Sequence, residues 1–231
     1  MKTDWQGPLR PAIFAEQVLI RAILDGEFPT GSTLPAEREL AVKIGVTRPT
    51  LREALQRLDR DGWLTIQQGK STRVNDFWRE GGLNVLSAIV RFGEPLPEDF
   101  IPNLLEVRQA LAPAYTRQAV ELEPQRILDC LEDAPDLTGD PQHFAHFDWQ
   151  LHHTLTVASG NPIYTLILNG FAEFYVEMAL LYFNPLIARR VSAEFYQALS
   201  LASQARNGQQ AYEITSQTMQ TSIELWKNRQ T

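Results

Sequence analysis

Two groups of residues in this 231-residue chain have the types and spacing to do chemistry. The first lies between Leu34 and Val74. Arg48, Thr50 and Arg52 open a stretch in which Leu51, Leu55 and Leu58 repeat at helical spacing. If those leucines face a core, the arginines and threonine near the helix start are left to reach a groove, where a recognition helix presents its base-reading side chains. Lys70 follows Gly69 at a turn, so its ammonium and the neighbouring backbone N–H groups can approach phosphates closely. The second group centres on Arg108, which falls on the apolar stripe of Leu104, Leu111 and Tyr115. A guanidinium facing inward needs a partner, because an unpaired buried charge is very costly. Two partners are open: an internal carboxylate such as Asp148, or the anionic or carbonyl group of an effector. Near the C-terminus Thr215, Thr218, Ser222 and Trp226 share a helical face, flanked by Ile214 and Leu225. That face reads either as the lining of a partly polar cavity or as the solvent side of a terminal helix.

The elements that must position the first group are legible locally. Pro35 suits the first position of a helix, and Glu37 and Glu39 place negative charge in its first turn. Leu40 and Ile44 give it an apolar face, and Gly45 can end it in the left-handed conformation. Thr47 is the natural N-cap of the next helix, with Pro49 in its first turn. Asp61-Gly62 then turns the chain into Trp63–Ile66, residues 67–70 form a hairpin tip, and Ser71–Val74 return. The layout is that of a winged helix-turn-helix. Gly81-Gly82 and the Gly93–Pro97 stretch bracket a short apolar helix, 83–92, that reads as a packed linker. Beyond Pro97 the pattern is helical throughout, over 99–120, 124–133, 141–158, 162–182, 187–206 and 208–228. The expected fold class is mainly α: a winged helix-turn-helix domain at 1–78, a linker helix at 79–97 and an antiparallel all-α helical bundle at 98–231.

Composition excludes several classes. A hydrophobic fraction of 44% and a charged fraction of 21% are ordinary for a globular chain. No run of about 18 apolar residues suggests a membrane span, and residues 1–10 lack the apolar run of a cleavable signal. The single cysteine, Cys130, rules out an internal disulfide and fits a reducing cytoplasm. The net charge of −7 seems to argue against nucleic acid until it is divided. Residues 1–78 hold 11 Lys or Arg against 10 Asp or Glu, and residues 79–231 hold 10 against 18. Positive groups in the first region must therefore be concentrated on one side.

The segment LPAERELA, IGVTRPTLREAL, DGWL and GK, in that order, resembles the DNA-binding domain of the GntR family of bacterial regulators. RDGWLTIQ, VNDFW, ASGNPIYTLILNG and the Tyr182–Pro185 neighbourhood resemble its FadR subfamily in particular, and the likeness runs nearly end to end. The resemblance implies that Arg38, Arg48 and Arg52 contact the operator in the major groove and that Thr47 and Thr50 anchor to phosphates. It also implies that Gln68, Gly69 and Lys70 form a wing entering the minor groove. VRQALAPAYTRQA and FDWQLHHTLTVASGNPIY resemble the helical effector domain of the same subfamily. In many relatives the Asp and His matching Asp148 and His152 join two further histidines to bind a metal ion. Here all four histidines (143, 146, 152 and 153) lie within eleven residues, so no metal is expected. The FadR branch binds long-chain acyl-CoA in this domain. By matching positions Leu105, Arg108, Tyr182, Ser222 and Trp226 would lie along the acyl-CoA path. His152 stands where that branch carries a bulky aromatic, and Thr218 and Thr221 also differ from it.

The resulting expectation is a cytoplasmic transcriptional regulator, repressor or activator by gene, of fatty-acid metabolism. It would bind operator DNA as a homodimer, release it on binding acyl-CoA, and need no cofactor and no membrane. Apolar positions on the linker helix, with Leu19, Ile20 and Ile23, would help couple the domains. One rival is a GntR-type regulator sensing a small carboxylate. Another is a metal-assisted hydrolase using Asp148, His152 and His153, against which stand the lack of a nucleophile motif, a phosphate loop or a complete metal set.

Overall fold

The structure, a computed structural model, describes residues 11–93, 95–137 and 139–229. The chain divides into two compact units, Met1–Leu96 and Pro97–Thr231. The four-residue α4 and the linker segment therefore group with the first unit.

The first unit comprises α1 (Pro11–Leu24), α2 (Glu37–Ile44), α3 (Arg48–Arg60), β1 (Leu64–Thr65), β2 (Arg73–Val74), α4 (Phe77–Glu80) and α5 (Leu83–Phe92). Leu51, Leu55 and Leu58 of α3 are buried, as their spacing predicts, and so are Leu19, Ile20 and Ile23 of α1. Helix α1 packs on α3 and α5, so those three side chains belong to this unit's own core. Gly45 ends α2 at φ +79°, its N–H bonded to the carbonyls of Ala41 and Val42. Thr47 caps α3 by accepting the Thr50 N–H. The wing pairs Leu64 with Val74 and Thr65 with Arg73, antiparallel. Its root is held by Asn75, which is buried. The Asn75 amide donates to the carbonyls of Gly62 and Leu64 at 3.1 and 2.9 Å and accepts from the Thr65 hydroxyl at 2.7 Å.

One boundary differs from expectation. Pro35 is not the first residue of α2, which starts at Glu37 behind Ala36. A bridge between Thr33 and Arg73 holds the preceding chain extended against the wing. The Leu34 N–H donates to the Thr72 carbonyl at 2.8 Å, so Pro35 serves as the exit from that bridge.

The second unit is an all-α bundle of α6 (Phe100–Leu122), α7 (Pro124–Leu131), α8 (Pro141–Ala158), α9 (Pro162–Asn169), α10 (Tyr175–Phe183), α11 (Leu186–Gln204) and α12 (Gly208–Asn228). Helix α6 lies along α12 and also meets α8. Small buried residues, Ala112, Ala119, Gly208, Ala211 and Thr215, let α6 and α12 approach closely. At Gly208 a Cβ would stand within 2.8 Å of the Glu121 side chain. Phe144, Leu151, Leu155, Phe183 and Leu199 fill the centre.

The single helix expected over 162–182 is two. Residues 170–174 turn through i→i+3 hydrogen bonds, from the N–H groups of Phe171, Ala172 and Phe174 to the carbonyls of Leu168, Asn169 and Phe171. The turn buries Phe174 and starts α10 at Tyr175.

Candidate nucleic-acid interface and ligand cavity

Arg48 and Thr50 occupy the first turn of α3, with Arg52 one turn along, at the helix end whose dipole favours anionic partners. Arg38, on α2, and Arg48 are exposed, and among the described residues neither carries an ion pair. Arg52 differs. Its Nε donates to Glu37 Oε2 at 2.7 Å, a bond that does not use the terminal nitrogens. The Thr47 and Thr50 hydroxyls are 2.8 Å apart. Gln68, Gly69 and Lys70 form the exposed tip of the wing, with Gly69 at φ +76°. Arg52, Gln56 and Glu37 line one groove together with the wing tip, including Gln68 and Lys70. The structure thus brings Arg52 and the wing to one groove, while Arg38 and Arg48 stand outside its lining.

In the second unit α6, α8, α9 and α10 line a partly open cavity of about 110 Å³. Its walls are apolar, from Leu104 and Leu105 on α6 to Ile167, Phe171 and Met178 opposite, except at one corner. There Arg108 Nη2 donates to Asp148 Oδ1 at 2.8 Å, and Tyr175 donates its hydroxyl to Asp148 Oδ2 at 2.6 Å. The same Nη2 meets His152 Nε2, and His152 Nδ1 lies 2.6 Å from the Tyr115 hydroxyl. A guanidinium has donors only, so Nε2 must accept and the imidazole proton sits on Nδ1, directed at the Tyr115 oxygen. Burial and the adjacent Arg108 charge lower the His152 pKa to about 3, with Asp148 only partly opposing them. Burial alone would raise the Asp148 pKa. Arg108, His152 and the two hydrogen bonds outweigh it and hold the carboxyl below its usual range. Burial would also strip the Arg108 proton, but Asp148 keeps the guanidinium firmly charged.

Of the two partners open to Arg108, the internal carboxylate is the one present. This arrangement does not fit a metal ion. The guanidinium already meets both Asp148 and His152, and no group of three His, Cys, Asp or Glu converges among the described residues.

Leu105, Arg108 and Tyr182 line the cavity together. Ser222 does not line it but bonds the Tyr182 hydroxyl at 2.9 Å. Trp226 lies in an adjoining pocket that shares Tyr182 with it. On α12, Thr215 and Ser222 are buried, and Thr218 and Trp226 are half-buried, so the solvent-side reading of that face is wrong. The three hydroxyls bond back to carbonyls four residues earlier, which satisfies them without water. Tyr175, Phe171 and Phe174 escaped the sequence reading. Tyr175 comes to Asp148 from 27 residues away, and the turn that aims it leaves no periodic signal.

Comparison with known proteins agrees with both halves. Residues 12–74 match the gntR family of bacterial regulatory proteins, and residues 75–231 match the FadR C-terminal domain. A fatty acid metabolism regulator protein of Shewanella baltica is 48% identical over 200 residues, covering 85% of this chain and 83% of that one. One from Pasteurella multocida is 42% identical over 220 residues, covering 95% and 91%. Among solved structures, Lar of Listeria monocytogenes, described as controlling expression of the agr system, superposes with a TM-score of 0.61 at 14% identity. It covers 96% of this chain and 99% of its own, which speaks to the fold alone. No helix among the described residues is long and apolar enough to cross a membrane. With a winged helix-turn-helix of the one type joined to a helical bundle of the other, the chain is a transcriptional regulator, not an enzyme, and belongs to the GntR family with a FadR-type C-terminal domain.

Proposed function

We propose that the chain regulates fatty-acid metabolism in the cytoplasm, binding operator DNA as a homodimer and releasing it when long-chain acyl-CoA enters the bundle. The working division is a DNA-binding module at 1–78, a linker at 79–97 and an effector module at 98–231. The observation that carries the reading is the cavity, apolar on every wall but one, with a hydrogen-bonding corner at Arg108. An acyl chain suits the apolar walls and a thioester carbonyl suits the corner. Leu105 and Tyr182 would line the chain's path. Ser222 and Trp226 would act beside it, Ser222 through its bond to the Tyr182 hydroxyl and Trp226 in the adjoining pocket that Tyr182 also lines.

The size of the cavity supplies the switch. An apolar cavity of about 150 Å³ takes a benzene-sized molecule. A space of about 110 Å³ is smaller than that, so a long acyl chain would displace a wall or extend out through the open side. Helix α9 is the least anchored wall, since none of its residues is buried. A ligand that binds only the opened arrangement shifts the population toward it. In the dimer, that arrangement would misalign the two recognition helices with the half-sites of a near-palindromic operator. Arg38, Arg48 and Arg52 would read bases, Thr47 and Thr50 would hold phosphates, and Gln68, Gly69 and Lys70 would enter the minor groove.

A thermal-shift panel of acyl-CoAs and small organic acids tests the effector class. Long-chain acyl-CoA should raise the transition of the second unit. Stabilisation by small acids alone would replace this reading with a carboxylate sensor.

A further inference from the structure

The sheet of the wing is too short to fix its own direction. It is two residue pairs long, Leu64 with Val74 and Thr65 with Arg73, and a two-stranded ribbon alone is marginally stable. Asn75 secures the root, and an acid from another element braces each side of the ribbon. Asp59, near the end of α3, accepts the Ile66 N–H at 2.8 Å through Oδ1. Glu80, the last residue of α4, takes both terminal nitrogens of Arg73. Nη1 donates to Oε1 at 3.3 Å and Nη2 to Oε2 at 2.8 Å. Glu80 Oε1 also accepts the Asp76 N–H at 3.1 Å, so the carboxylate is itself held in place. The short helix that carries it is tied to the rest of the unit. A Cβ at Gly62 would stand 2.8 Å from the Glu80 carbonyl oxygen, so the α3–β1 turn and the end of α4 meet backbone to backbone. Phe77 packs on the buried Trp63, with ring centroids 4.9 Å apart. A paired fork fixes direction as well as distance. The Arg73 and Glu80 side chains are 43% and 39% exposed, so the pair adds little to stability and its contribution is geometric.

We propose that Glu80 is a positioning residue for DNA recognition. By gripping Arg73 it aims the wing so that Gln68, Gly69 and Lys70 meet the same duplex that α3 reads. This rests on the reading that the wing enters the minor groove. Glu80 acts through Arg73 rather than on the duplex. As a bare negative charge it would oppose DNA binding, and its removal would strengthen binding. As a brace its removal does the opposite, so the sign of the effect separates the two roles.

The test uses the full chain and a DNA duplex that the wild type selects from random sequences. The readouts are affinity, its salt dependence and hydroxyl-radical protection of the minor groove. Glu80→Ala should lower affinity about fivefold and erase the protection under the wing. The thermal transition and the preferred major-groove bases should stay as they are. With Gln68→Ala and Lys70→Ala already in place, Glu80→Ala should change affinity by less than about twofold, because the contact that it misaligns is gone. Arg73→Lys keeps the charge and loses the fork, so it should behave as Glu80→Ala does, and it carries the test if Glu80→Ala does not fold. Affinity raised or unchanged, protection retained under the wing, or the full loss persisting in the background altered at the tip would overturn the proposal. Wild-type affinity and protection in the chain altered only at Gln68 and Lys70 would instead sink the minor-groove reading of the wing, which is a distinct result.

Discussion

His152 shows at residue scale how the bundle's interior sets its chemistry. The imidazole is fully buried and accepts from a guanidinium, so a second proton would face a positive charge with no water to screen it. Its folded pKa of about 3 lies below the ordinary value of 6.5. Between those values the unfolded chain binds a proton that the folded one refuses. Stability is thus complete above about pH 6.5 and falls on acidification, at up to about 1.4 kcal/mol per pH unit. The depressed Asp148 adds a further loss only at lower pH, as the carboxylate itself titrates. Urea denaturation of His152→Gln should show a shallower slope between pH 6.5 and 4 than wild type, and equal slopes would remove His152 from the account. In the other unit Arg48 is exposed and bears no ion pair among the described residues, so its loss should not disturb folding. Arg48→Ala should weaken operator binding by about 1–3 kcal/mol, relax base preference and leave the thermal transition unchanged. Loss of folding would make Arg48 structural.

At the scale of elements, what the sequence made legible was what is decided locally. The Thr47 cap, the left-handed Gly45 and the leucine repeat of α3 each depend on a few adjacent residues, and each stands as read. Thr47→Ala should cost about 1 kcal/mol of stability through the lost cap, measurable by chemical denaturation. It should also weaken operator binding, and a binding loss no larger than the stability loss would argue against a phosphate contact at Thr47. What escaped was decided at a distance. The start of α2 is set by pairing of Thr33 with Arg73, forty residues on in the chain, and Pro35 carries no sign of it. The break at 170–174 lies in a stretch apolar all round, where periodicity cannot mark a boundary, yet it is this break that aims Tyr175 at Asp148. The cavity residues on α6 were visible as a stripe. Those supplied by α9 and α10 were not, because a wall made by a turn has no repeat to read.

For the whole molecule the distribution of charge sets the terms of DNA binding. The first 78 residues hold nearly equal numbers of acidic and basic groups, so on the proposed reading the affinity would come from a few well-placed cations, with Arg38, Arg48, Arg52 and Lys70 as the candidates. Binding should weaken steeply with salt, and Lys70→Ala should reduce the slope of log affinity against log salt by about 1 without changing sequence preference. Such modest affinity is easily switched. A coupling of about 1–3 kcal/mol between the cavity and the DNA-binding surface is enough to move the regulator on or off its operator. If filling the cavity weakens DNA binding, an operator titration of the full chain with and without a series of acyl-CoAs will reveal it. Long-chain acyl-CoA should lower operator affinity about 5- to 150-fold, with the effect fading as the chain shortens. Operator affinity unmoved by any acyl-CoA that demonstrably binds the protein would contradict the account.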